Sequence, residues 1–130
     1  MEHLIENEYC KFWTERGVLY GDYHEIDEVD FRIADLCVKM RIEASGEMSY
    51  PCLFDITKVK KWAPEARKLL ASQEASELMT ACALLVNSPV VQMIANFYIF
   101  VNKPLVPTRW FTDRRKAVKW LADFRVPNEV

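Results

Sequence analysis

Two runs near the start of the chain, Glu8-Tyr9-Cys10-Lys11-Phe12-Trp13-Thr14 and Val18-Leu19-Tyr20-Gly21-Asp22-Tyr23, are dominated by aromatic and β-branched side chains. Between them, Glu15-Arg16-Gly17 reads as a hairpin turn, so the chain is expected to open with two antiparallel strands. From Asp27 the period lengthens. Val29, Ile33, Leu36, Cys37, Met40 and Ala44 recur at helical spacing and predict a stripe turned to the core. Asp27 or Asp30 can cap that helix, and Gly46 can end it.

The remaining pattern alternates. Tyr50 to Ile56 is a short apolar run between turn signals, as expected of a buried strand, and Pro64 to Ser72 predicts a helix with Ala66, Leu69 and Leu70 inward. Thr80 to Val86 is the next strand, and Ser88-Pro89 opens a helix that Lys103-Pro104 closes. Val106 to Phe111 predicts the last strand. Thr112 or Asp113 caps a final helix with Ala117, Trp120, Leu121 and Phe124 inward. The order β-β-α-β-α-β-α-β-α predicts the α/β class: a single mixed five-stranded sheet with four helices, parallel after its opening hairpin.

Composition narrows the field. With 130 residues, 51% of them hydrophobic, and only three Gly and six Pro, the chain reads as one domain able to bury a real core, not a disordered scaffold. Seventeen basic against nineteen acidic side chains argue against general nucleic-acid binding. The acids among residues 2–8, without a basic and apolar leader, predict cytoplasmic residence, and no stretch reads as a transmembrane segment. Cys10, Cys37, Cys52 and Cys82 lack metal spacing and are expected to be buried thiols, with no cofactor implied. Charge is divided unevenly: residues 1–65 hold 8 basic and 14 acidic side chains, residues 66–130 hold 9 and 5. Solvated helix faces account for that split, as does self-association of the two halves.

The helix from Ser88 to Lys103 is apolar nearly all round, with Ser88, Gln92 and Asn96 as its polar stripe. Its flanks need a cover: a neighbouring helix, a subunit partner or a lipid-like ligand. Phe31, Val38 and Ile42 predict a second apolar row on the outer side of the first helix, and with Phe97, Tyr98 and Phe100 they form a candidate interface. Polar residues expected at the carboxyl ends of strands, Asp55, Thr57, Asn87, Ser88, Thr112 and Asp113, form a candidate ligand or partner site, although capping and turn roles also explain each. His24 is placed in a loop and His3 in a loose tail, neither with a catalytic partner at motif spacing. Trp62, beside Lys58, Lys60 and Lys61, reads as part of a solvated loop.

Ala81-Cys82-Ala83-Leu84-Leu85-Val86, the apolar helix Val90 to Val101, Asn102-Lys103-Pro104, Arg109-Trp110-Phe111-Thr112-Asp113 and Ala117-Val118-Lys119-Trp120-Leu121 together resemble the C-terminal half of small SpoIIAA-like bacterial proteins. The element order over residues 8–124 is likewise similar to that of STAS-like domains, the fold of sulphate-transporter tails and anti-sigma-factor antagonists. In the antagonists, a loop motif of the Asp-Ser-Ser-Gly type carries a phosphorylated serine. Asp55-Ile56-Thr57 is similar to the stretch before that motif, but the site itself falls on Ala63-Pro64-Glu65-Ala66, which has no hydroxyl. The resemblance therefore implies a non-enzymatic regulatory or protein-interaction domain without the usual phosphorylatable serine, acting as a homodimer or with a protein partner. The alternative is a binder of a small lipid-like or other apolar ligand.

Overall fold

The computed structural model describes residues 2–126. Arg16 and Gly17 both take positive φ, 51° and 79°, which matches the twist of a two-residue hairpin turn and puts Glu15 opposite Val18. This turn joins the antiparallel strands β2 (Cys10–Glu15) and β3 (Val18–Tyr23). A strand unforeseen from the sequence, β1 (Glu2–Glu6), pairs antiparallel with β2 at the sheet edge, so His3 lies in a strand and not in a loose tail. The pairing shifts register between Glu2 and Ile5, and His3 within that irregularity has φ of 53°. The sheet therefore has six strands, not five.

The other strands, β4 (Tyr50–Asp55), β5 (Met79–Leu85) and β6 (Thr108–Phe111), add in chain order and in parallel, giving the order β1-β2-β3-β4-β5-β6. Because the parallel half never reverses direction, crossovers of one hand carry their helices over one face. Helices α1 (Phe31–Ser45), α2 (Pro64–Leu70) and α3 (Pro89–Phe97) all contribute to the core on that side. On the opposite face α4 (Arg114–Leu121) covers Val18, Leu53, Ala81 and Ala83 with Ala117 and Leu121. Burying one such leucine contributes about 2 kcal/mol.

Caps set the helix ends. Asp30 accepts from the Ile33 amide, Ser88 from that of Val91 and Asp113 from that of Arg115, while Gly46, with φ of 63°, ends α1. Beyond Phe97 the third helix widens into a π-helical turn, Tyr98–Asn102, which Lys103 closes in the left-handed conformation.

The buried arc of α1 differs from the predicted stripe. Ile33, Ala34, Cys37, Val38, Arg41, Ala44 and Ser45 are inside, whereas Leu36 is exposed. The helix packs on α2 as well as on the sheet, so its covered arc turns toward α2. Val38 is only 4% exposed, and its predicted place on an outer apolar row is corrected accordingly.

Gly21, in β3, sits under two rings. A Cβ built there would lie 2.6 Å from both Phe12 Cε1 and Phe54 Cδ1. Gly21→Ala is expected to destabilise the fold by about 1–3 kcal/mol through overpacking. Urea unfolding checks this, and an unchanged midpoint would contradict the close packing.

Candidate functional site

Phe12, Tyr23 and Phe54 stand on neighbouring strands of the three-helix face and meet edge to face, with ring centroids 6.1–6.5 Å apart. Trp62 extends this aromatic floor, its ring 5.2 Å from Tyr23. The segment carrying Trp62 is held by bridges from Val29 to Trp62 and from Ile26 to Val59. Trp62 is therefore half-buried and not part of a solvated loop, although Lys58, Lys60 and Lys61 are solvent-exposed.

Above this floor the helices do not close. Of α3 only Val91 and Ala95 are buried. A cavity remains, walled by Cys37, Val38 and Arg41 of α1 and Arg67 and Leu70 of α2, and roofed by Ile94 and Tyr98. Val106 and Thr108 stand on its β6 side. The cavity itself measures about 70 Å³ and opens to solvent. At that size it has room for a few waters and falls well short of the about 300–1,000 Å³ of small-molecule sites. Asn96, from the polar stripe of α3, accepts a 2.8 Å bond from the Trp110 indole and ties the roof to β6.

Polar groups line this space sparsely. Burial pushes the Tyr98 hydroxyl well above its ordinary range, and the Tyr23 hydroxyl likewise. It also pushes up the Cys82 thiol, against the opposing pull of Arg41. All four cysteines are buried free thiols, with Cys10 Sγ 3.0 Å from Cys37 Sγ. Among the described residues no cluster of His, Cys, Asp and Glu has the arrangement of a metal site.

The polar residues predicted at strand ends separate into groups. Thr57 and Ser88 border one shallow surface cleft with Lys58 and Lys60. Asp55 is turned to the α4 face and accepts from both the amide and the hydroxyl of Thr57, at 2.9 and 2.7 Å, a local turn. Asp113 caps α4, while Asn87 and Thr112 are exposed. No single cleft gathers all six, because a parallel half that never reverses its strand order forms no switch-point crevice.

The predicted apolar interface also divides. Phe31, Phe97 and Phe100 are exposed, Ile42 is half-buried, and Tyr98, with Val38, faces the cavity. Arg41 and Arg67, which line the cavity, are not among the residues the sequence pattern singles out. The available signal was a basic side chain in the middle of a helical stripe otherwise made of Ala34, Cys37, Val38 and Ala44. His24 pairs with Glu6 at 3.0 Å.

The chain belongs to the family described as a domain of unknown function, DUF7793, whose model matches residues 12–125. A search of curated proteins returns no match. Among solved structures, the chain is similar to the crystal structure of an uncharacterised protein of the DUF3478 family with a SpoIIAA-like fold from Shewanella loihica PV-4. The TM-score is 0.63 at 15% identity, over 90% of this chain and 98% of that one. The fold is thus SpoIIAA-like, as the residue pattern from Ala81 to Leu121 implied. Among the described residues no helix is long and apolar enough to cross a membrane.

On the α4 face, Asp22 and Asp55 are paired neighbours on β3 and β4, and Arg114 Nη2 lies 3.8 Å from both. Burial raises the Asp22 carboxyl above its ordinary range; Arg114 opposes this and Asp55 adds to it. A carboxyl raised in the folded state stabilises the fold below the unfolded carboxylate range, and this contribution is lost as pH rises through the folded value. Asp22→Asn is therefore expected to melt higher than the parent at neutral pH, with the gap closing toward about pH 4. Melting curves across pH test this; a gap that widens on acidification would contradict it.

Proposed function

We propose that this chain is a non-enzymatic binding domain of STAS-like type that takes a small, largely apolar ligand between its sheet and helices α1, α2 and α3. The cavity over Phe12, Tyr23, Phe54 and Trp62 carries this reading. A wholly structural core would be expected to fill such a space, since protein interiors pack at near-crystalline density. The floor is aromatic and α3 buries only Val91 and Ala95, so the roof is the element that lifts to admit a ligand.

Binding of the neutral fluorophore N-phenyl-1-naphthylamine tests it. Saturable fluorescence at one equivalent per chain is expected, and Ile94→Trp, which fills the cavity from its roof, should abolish most of that signal while the far-ultraviolet circular dichroism is retained. A probe that binds the folded Ile94→Trp variant as well as the parent would overturn the assignment to this cavity.

A second reading has its own support. The outer side of α3 and its π turn carry Val90, Met93, Phe97, Phe100 and Val101, with Met93 70% and Phe100 72% exposed. A contiguous apolar row of this kind favours a homodimer meeting through that face. Light scattering on a sizing column is expected to give twice the chain mass, unaffected by salt, and Phe100→Glu should return the monomer. A parent that is a monomer at high concentration would exclude the dimer, whereas a dimer that dissociates with salt would instead support pairing of the acidic and basic halves.

A further inference from the structure

The cavity lining holds two arginines and no carboxylate. Arg41, midway along α1, is 2% exposed and has only neutral partners. Its Nη2 donates to the Ala75 carbonyl at 2.9 Å and its Nη1 to Ser45 Oγ at 3.5 Å. A guanidinium carries five N–H donors, so these two bonds leave part of the fork unmatched. Arg67 of α2 donates through Nη1 to the Trp62 carbonyl and places its guanidinium 4.8 Å from the centre of the Phe97 ring. Its Nε is buried without a partner, as is the Trp62 indole nitrogen. Neither arginine forms an ion pair with any of the described residues.

A cation held in apolar surroundings is strongly disfavoured unless an anion neutralises it. Arg41 is such a cation, and Arg67, half-buried against Phe97, stands on the same side of the cavity, whereas the floor is aromatic. We infer that the ligand is an amphiphile with a carboxylate or phosphate head, which Arg41 and Arg67 engage, and an apolar body lying on Phe12, Tyr23 and Phe54. This inference rests on the reading of the cavity as a site for an apolar ligand and adds the charge of the ligand's head.

The test displaces the neutral fluorophore with dodecanoate, dodecyl phosphate and dodecanol, which share a chain and differ in the head. At least one anionic probe is expected to compete at about tenfold lower concentration than the alcohol, the advantage of a charge-assisted hydrogen bond. Arg41→Gln or Arg67→Gln should bring that anion to within about twofold of dodecanol while leaving dodecanol itself unchanged. The preferred head, carboxylate or phosphate, names the ligand class.

Alcohol and anions competing equally in the parent would overturn the anionic head and leave the apolar site standing. A preference that survives both substitutions would overturn the role of the two arginines. A fluorophore that never binds the cavity would remove the underlying reading. Should Arg41→Gln not fold, Arg67→Gln and the comparison of heads in the unaltered protein decide the matter.

Discussion

At Gly21 the sheet gives up a side chain so that two rings can meet. β3 is the strand on which the antiparallel hairpin joins the parallel half, and any larger residue there would strike Phe12 and Phe54. The rings close over the glycine and form, with Tyr23, a rigid platform across β2, β3 and β4. Everything on the three-helix side is built against that platform. Helices α1 and α2 pack beside it and on each other, and α3 buries only Val91 and Ala95 and is tied to β6 by the Trp110–Asn96 hydrogen bond.

The two faces of the sheet consequently do different work. Under α4 small residues on β5 accept Ala117 and Leu121, Asp22 and Asp55 share Arg114, and the Thr80 hydroxyl fixes the turn after α4 by donating to the Phe124 carbonyl at 2.8 Å. On the other face three helices share one layer and leave space between them. Polar groups that would be unwelcome in a closed core, the Arg41 fork, the Arg67 Nε and the Trp62 indole, are gathered around that space. The fold alone does not specify a task.

Local signals were readable where local physics decides. Asp30, Ser88 and Asp113 cap as their positions predict, Gly46 ends α1, and Arg16-Gly17 turns the hairpin. The parallel order of β3 to β6 followed from alternation of strand and helix. What was not readable depends on long-range packing. Glu2-His3-Leu4-Ile5-Glu6 is too short and too polar to announce a strand, and it becomes one by pairing with β2. The inward arc of α1 is set by α2 as much as by the sheet, which moved Val38 inside and Leu36 out. Tyr98 carries the same apolar signature as Phe97 and Phe100 but points the other way, into the cavity. A cavity is the difference between a framework and its filling, and no run of residues encodes it; Arg41 in an apolar stripe was its only local trace.

The central claim is that the space over Phe12 and Phe54 is a ligand site and not a packing defect. A crystal structure of the protein grown with dodecanoate tests it most directly. The account predicts continuous density between α1, α2 and α3, lying on the rings of Phe12, Tyr23 and Phe54, with Ile94 and Tyr98 against it. A structure in which Ile94 and Tyr98 have settled onto the aromatic floor, leaving no room for the chain of the probe, would contradict it.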